Sequence, residues 1–211
     1  MPRDGEETGR TRFSAMTSLD FGSSTTALVL IDLQKGIVSR TLAPHSAANV
    51  LERSVQLARA CRAKGGPIVA VHVTFSPDGA DRLRQPVDEA MVVPPGGIPA
   101  DWSEFVPEIA ALHPEVTITK RQWGAFHGTE LDLQLRRRGV STIVLCGIAT
   151  NFGVEMTGRE AWQHGYNVVV AEDACSSMDL ELHRFAIGRI LPRIARVRST
   201  AEVVAALGTR H

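Results

Sequence analysis

Short apolar runs alternate with helix-forming segments along most of this chain, and this alternation limits the possible folds more than any other feature. The first run, "ALVLI" at residues 27–31, is short and aliphatic, as expected of a strand buried on both faces. Comparable runs lie in five later segments, "PIVAVHVTF", "EVTITK", "STIVLCGI", "YNVVVAED" and "RIARVR". Six strands separated by helices predict the α/β class, with a parallel sheet covered by helices on both faces.

The chain suits one globular domain preceded by a tail. Of its 211 residues, 44% are hydrophobic and 22% are charged, which is enough for a sizeable core. Residues 1–25 are polar and rich in Gly, Ser and Thr, so they are predicted to form a flexible N-terminal tail before a domain at 26–211. Residues 76–114 hold seven of the 11 prolines and are predicted to form a long excursion with one short helix, Asp101–Leu112.

Capping residues and apolar periodicity predict the main helices. The predicted helices begin near Ser46, Thr129, Asn151, Asp179 and Ser199. The segment "KGGP" ends the first of them, and Ser199 with Glu202 forms a capping box for the last. The helix after Asp179 is predicted to bury one stripe, formed by Leu182, Phe185, Ala186 and Ile190.

Charge and composition argue against several classes of partner. The formal net charge is zero, from 23 Lys+Arg and 23 Asp+Glu, so no global field attracts nucleic acid or an anionic membrane. The arginines at 136–138 are interpreted as a solvated helix end. Without a signal peptide or a membrane-spanning apolar run, the predicted location is the cytoplasm. The partner predicted for this chain is therefore a small-molecule substrate.

Polar and flexible residues follow three of the predicted strands. Asp32 comes after the first strand, Lys120 after the third, and the turn "GIATNFG" after the fourth. Ligands of parallel sheets bind at the carboxyl ends of the strands, so these residues are candidates for one site. Asp32 and Lys120 could hold charge or pass a proton, or they could form a simple ion pair.

The turn at 147–153 combines two features of an anion site. Gly147 permits a close approach of the backbone, and the amides around Gly153 begin a helix, where partial positive charge accumulates. An ordinary β–α turn is the alternative. The turn lacks G-x-G-x-x-G spacing, so no dinucleotide and no other cofactor is predicted.

Neither a metal site nor an obvious nucleophile is predicted. One histidine and two aspartates in "HVTFSPDGADR", namely His72, Asp78 and Asp81, are unevenly spaced, and turn residues explain the segment better. The three cysteines are widely spaced; Cys146 lies within a predicted strand, and Cys175 follows one. Two threonines, Thr150 and Thr157, have no base that the sequence identifies.

Three segments carry a resemblance to a known family. "ALVLIDLQKG", "TKRQWGAFHGTELDLQLRRRGVSTIVLCGIATNFGV" and "REAWQHGYNVVVAEDACSS" resemble the isochorismatase-like hydrolase superfamily, also called cysteine hydrolases, over residues 26 to about 207. Within it, "GIATNFGVE" and "RIARVRST" are similar to the YecD-type subgroup. The resemblance implies a Rossmann-like three-layer α/β/α sandwich with a six-stranded parallel sheet, and a homo-oligomer, either a dimer or a tetramer.

The resemblance also implies a site. Most members use an Asp–Lys–Cys triad, and Asp32 and Lys120 match its first two residues, whereas the family cysteine falls on Gly153. A cis peptide is implied between Ile148 and Ala149, with the amides of Ala149 and residue 153 forming an oxyanion hole. Hydrolysis of amides through a thioester is therefore not expected.

Two hypotheses of different class remain. Isochorismatases, which resemble this chain in having a glycine in place of the cysteine, use the aspartate as a general acid on an enol ether, and water attacks the resulting carbon. Here Asp32 would be the acid, Lys120 its electrostatic partner, and the amides of Ala149 and Gly153 would hold a carboxylate or a water. The pocket walls would be Gln34, Trp123 and Phe126, unless these residues only pack.

The acid role requires that Asp32 keep a proton near neutral pH. Burial raises the pKa of a carboxyl group and a neighbouring lysine lowers it, and the sequence leaves this balance open. The second hypothesis is a catalytically inactive homologue that binds a small carboxylate or amide ligand.

Overall fold

The computed structural model describes residues 19, 21, 25–90 and 97–208. Most of the predicted N-terminal tail, and part of the excursion at 76–114, lie outside these residues. Within the tail, Phe21 is buried against the core, and Leu19 packs beside the same core.

Six strands form a single sheet. They are β1 (Thr25–Ile31), β2 (Ile68–Val73), β3 (Val116–Lys120), β4 (Val140–Ile148), β5 (Asn167–Ser176) and β6 (Arg196–Arg198). Their order is β3-β2-β1-β4-β5-β6, and every neighbouring pair is parallel. The predicted parallel α/β sheet is thus confirmed. Because β1 and β4 lie at its centre, their side chains are almost entirely buried, which explains their unbroken apolar runs.

Seven α-helices lie among the described residues. They are α1 (Lys35–Val38), α2 (Ala47–Ala63), α3 (Pro107–Ala110), α4 (Leu131–Arg137), α5 (Glu155–Gln163), α6 (Leu180–Phe185) and α7 (Thr200–Gly208). Two of the predicted caps are confirmed: the Ser46 hydroxyl accepts from the Asn49 amide at 3.3 Å, and Ser199 and Glu202 bond reciprocally. The N-cap of α4 is Glu130, not Thr129, and α5 begins later than the predicted Asn151. The short helix predicted at 101–112 is reduced to α3. None of the described helices has the length and apolar character to cross a membrane.

Strand order reverses between β1 and β4. The chain leaves β1 toward β2 and leaves β4 toward β5, so right-handed crossovers in opposite directions put helices on opposite faces of the sheet. Helices α2 and α7 pack together on one face, and α4 and α5 cover strands from the other. The point of reversal is where sheets of this order bind ligands, and here it lies between the ends of β1 and β4.

The predicted stripe of α6 is wrong in part. Leu182 and Phe185 are 46% and 58% exposed, whereas His183 and Ala186 are buried. The reason is polar: the His183 ring turns inward to hydrogen-bond with Thr150. Apolar periodicity alone cannot reveal that a histidine, rather than a leucine, occupies the buried face.

Candidate active site

Asp32 and Lys120 form a buried ion pair at the carboxyl edge of the sheet. Asp32 Oδ2 lies 2.8 Å from Lys120 Nζ, and the two residues are 6% and 1% exposed. Asp32 follows β1 directly with φ 53°, a left-handed conformation that is uncommon for a residue with a side chain. Lys120 ends β3, and its ammonium also donates to the Trp123 carbonyl at 2.6 Å.

Burial has a larger effect on the pKa of Asp32 than the neighbouring lysine has. Desolvation raises the pKa of Asp32 from 3.8 to about 6, although Lys120 and His72 act in the opposite direction. Asp32 therefore keeps its proton closer to neutral pH than a solvent-exposed aspartate would. The second oxygen, Oδ1, is buried without a hydrogen-bond partner among the described residues. No protein group among the described residues therefore holds this oxygen in its ionised form.

Gly147 brings the turn after β4 close to Asp32. It pairs with Ile31 in the sheet and has φ 128°, and a Cβ there would lie 2.1 Å from the Ile31 carbonyl oxygen. Only glycine fits this approach. The following Ile148–Ala149 peptide is cis, as the resemblance implies.

Gly153 faces the ion pair directly. It lies in a π-helical turn, Thr150–Val154, that leads into α5, and the early amides of a helix carry partial positive charge. A Cβ at this position would lie 3.0 Å from Asp32 Oδ2 and 3.2 Å from Lys120 Nζ. Any side chain at position 153 would therefore point into the Asp32–Lys120 pair.

The residues predicted to bind the substrate have different roles in the structure. Gln34 is fully buried, and its side-chain amide bonds to the backbone of Val73 and Trp102, so it holds two loops together. Trp123 is 54% exposed beside the lysine that its carbonyl binds. Ala149 is buried in the turn next to the pair.

Phe126 is not brought to the ion pair. Its ring stacks on His164, with centroids 5.0 Å apart, and lies near Tyr166. These neighbours follow the carboxyl end of α5, whereas Gly153 precedes its amino end. Phe152, which was not among the predicted pocket residues, lies closer to the site. Its ring packs on that of Trp123, with centroids 4.7 Å apart. Its place directly before Gly153 was the available signal.

The cysteines offer no reactive thiol. All three are buried, and desolvation raises the pKa of Cys61 to about 11 and that of Cys146 to about 12. Burial also raises the pKa of Cys175 well above its usual value. Cys175 lies within β5, which continues past the predicted end of the strand, so it belongs to the core and not to a loop.

A second polar group places a histidine next to Thr150, for which the sequence identified no base. The Thr150 hydroxyl lies 2.8 Å from His183 Nδ1, and His183 Nε2 lies 3.4 Å from a carboxylate oxygen of Glu172. Thr150 is fully buried, so this hydroxyl holds the turn and is closed to a substrate. No local sequence pattern predicts this group, because its three residues lie on separate segments. Thr157 accepts a bond from the Ala125 amide.

The histidine and aspartates weighed as metal ligands are engaged elsewhere. His72 bonds to the Ser103 carbonyl and the Thr119 hydroxyl through its two ring nitrogens, each at 2.8 Å. Asp78 and Asp81 both bond to Ser76 in a local turn. Their contacts fit a structural role.

Comparisons with known proteins agree with this architecture. A sequence profile of the isochorismatase domain matches residues 26–202. The isochorismatase family protein YecD of Escherichia coli O157:H7 is 50% identical over 189 residues, covering 90% of this chain and 100% of that protein. YwoC, an isochorismatase family protein of Bacillus subtilis (strain 168), is 49% identical over 187 residues, covering 89% and 96%. The solved structure of an isochorismatase family protein from Burkholderia thailandensis superposes with a TM-score of 0.81 at 46% identity, covering 88% of this chain and 96% of that one.

Proposed function

The chain belongs to the isochorismatase family, and on that premise we propose that it is a hydrolase in which Asp32, not a cysteine, begins the reaction. The resemblance to cysteine hydrolases implies that the family cysteine falls on Gly153. A glycine there leaves the space beside Asp32 and Lys120 free of a side chain. Such a site has no enzyme nucleophile, so water must be the attacking group.

The protonation of Asp32 carries the proposal. A general acid works best when its pKa lies near the working pH, and burial raises the pKa of Asp32 to about 6. Its Oδ1 has no hydrogen-bond partner among the described residues, whereas Oδ2 is held by Lys120. Both features support a role of Asp32 in proton transfer.

The reaction that fits this arrangement is hydrolysis of an enol ether. Asp32 Oδ1 donates its proton to the terminal carbon of the double bond, and positive charge develops on the carbon attached to the ether oxygen. Water adds to that carbon and returns a proton to Asp32. The resulting hemiketal loses the alcohol and leaves a ketone. Lys120, at 2.8 Å, stabilises the carboxylate that exists between the two proton transfers.

The surroundings of the pair suggest a small, anionic substrate. The amide of Ala149 directly precedes the π-helical turn and that of Gly153 lies within it, ahead of α5, so a carboxylate bound there would meet partial positive charge. The Trp123 and Phe152 rings offer an apolar wall beside them. The proposed partner is therefore a small carboxylate, with no nucleic acid, membrane or cofactor required, and the proposed assembly is a homo-oligomer.

A substrate panel tests the proposal. The purified chain is incubated with isochorismate, simple carboxylated enol ethers, nicotinamide and other primary amides, and products are identified by mass spectrometry. Release of a ketone and an alcohol from an enol ether supports the assignment. Turnover confined to amides would contradict it, and saturable binding without any turnover would favour the inactive homologue.

Thiol chemistry provides a prediction with a matched control. The native chain is expected to keep full activity in iodoacetamide, because its three cysteines are buried with raised pKa values. Gly153→Cys places a thiol beside Lys120, whose charge is expected to lower the pKa of that thiol below the pKa of the exposed thiol in Gly188→Cys, as thiolate absorbance measured against pH will show. A Cβ at Gly188 meets open space. Inactivation of the native chain by the reagent would overturn the non-thiol mechanism.

A further inference from the structure

Three side chains of metal-ligating type converge outside the Asp32 site, and we propose that they form a Zn²⁺-binding site. They are His45, Glu172 and His183. Two imidazoles and one carboxylate are a ligand set that zinc accepts, whereas calcium and magnesium prefer sites built from oxygen alone.

The separations of the ligand atoms are suitable for one ion. Glu172 Oε1 lies 3.3 Å from His45 Nε2 and 3.4 Å from His183 Nε2, and all three ligand atoms lie within 4.8 Å of one another. In a tetrahedral zinc site with bonds of about 2.1 Å, ligand atoms are about 3.4 Å apart. Two edges of such a tetrahedron are therefore already formed, and only the His45–His183 edge has to close.

The ligands are held by three different segments of the fold. Glu172 lies on β5, His183 on α6, and His45 in the loop that precedes α2. The loop is fixed by Ser176, whose hydroxyl donates to the His45 carbonyl at 2.8 Å. Ala43 and Ser177 add a backbone bridge beside it. A bound ion would thus join three segments that the backbone already holds near one another.

Access to the site is one-sided. The side chain of His183 is 2% exposed, while those of His45 and Glu172 are 21% and 34% exposed. An ion can enter from the exposed side, and water can occupy its fourth position.

The Nδ1 atoms of His183 and His45, which would not bind the ion, have different hydrogen-bond partners. His183 Nδ1 lies 2.8 Å from the Thr150 hydroxyl, which can accept a ring proton when Nε2 binds a metal. His45 Nδ1 faces Arg53 Nη1 at 3.3 Å, and this donor opposes a protonated Nδ1. The guanidinium is held more closely by the Asp173 carbonyl, at 2.6 Å. Arg53 is therefore a competitor that the ion must displace from His45.

Zinc titration of the full-length, metal-free chain tests the proposal. Calorimetry is expected to show one Zn²⁺ per chain, with a melting temperature that rises with zinc concentration. His45→Ala and Glu172→Gln are each expected to weaken zinc binding by at least about tenfold. The matched control is His164→Ala, which removes an imidazole from a pair with Asp132 that has no third metal-ligating side chain among the described residues.

Two results would contradict the zinc site. One is the absence of saturable zinc binding by the native chain, and the other is a zinc affinity in His45→Ala and Glu172→Gln equal to that of the native chain. Melting of each variant without zinc shows that it is folded before affinities are compared. Neither readout depends on catalysis, so failure here leaves the role of Asp32 untouched.

Arg53→Met, whose side chain carries no hydrogen-bond donor, gives an independent check. Removing the competing donor is expected to raise zinc affinity several-fold, because His45 Nδ1 can then carry its proton without opposition. A lower affinity in this variant would contradict the assignment of His45 Nε2 as the ligand atom.

Discussion

Asp32→Asn is expected to lower kcat/KM for the enol-ether substrate by about 10²–10⁴-fold. Asparagine keeps the size of the side chain but cannot donate an acidic proton, so protonation of the double bond is lost. The loss should appear mainly in kcat, because substrate binding through the backbone amides is retained. Steady-state kinetics on the substrate identified by the panel measures the effect.

Asp78→Asn is the matched control for this substitution. Asp78 is exposed and bonds only within its own turn, so its loss should leave the kinetics unchanged. For the native chain, kcat/KM is expected to fall as the pH rises above about 6, since the acid form of Asp32 disappears. Turnover that survives Asp32→Asn, or that rises to a plateau above that pH, would assign the proton transfer to another group.

Lys120→Met is expected to destabilise the fold by about 3–5 kcal/mol at about pH 8. Methionine fills similar space but leaves the buried Asp32 carboxylate without its counter-ion, so the pKa of Asp32 should rise further. A carboxyl group whose folded pKa exceeds its unfolded value destabilises the fold progressively as the pH rises. The loss should therefore be smaller at about pH 5, where the folded variant keeps Asp32 neutral. Urea denaturation at both pH values measures the difference.

The double variant Asp32→Asn/Lys120→Met separates charge from packing. Without the carboxylate there is no buried charge to leave unpaired, so most of the stability lost at about pH 8 should return. An equal loss for Lys120→Met at both pH values, with no recovery in the double variant, would mean that packing rather than charge is responsible.

Much of the fold could be predicted because central parallel strands leave a clear pattern. β1 and β4 are buried on both faces, and so their sequences are continuous apolar runs. Asp32 interrupts the first run at the point where the strand ends, and Gly147 marks the close contact with Ile31. Each of these positions is recognised by its place at the end of a strand, so one sequence is enough to suggest that it belongs to a site.

Other features depend on contacts that no local pattern records. The pKa of Asp32 is a balance between burial and Lys120, and only coordinates show which effect is larger. The polar group around His183 joins distant segments, which is why the buried face of α6 was predicted wrongly in part and why no base near Thr150 was identified. The position of Phe126 also could not be predicted, because the rings that it contacts, His164 and Tyr166, are distant from it in sequence.

The most direct test of the central claim is an NMR titration of the Asp32 carboxyl carbon. The chain is labelled with ¹³C-aspartate, and the Asp32 signal is identified by its absence in Asp32→Asn. We expect a titration midpoint at about 6, because burial affects the pKa of Asp32 more than the nearby lysine does. A midpoint at or below the usual 3.8 would show that Asp32 is a permanently ionised partner of Lys120, and the acid mechanism would then fail.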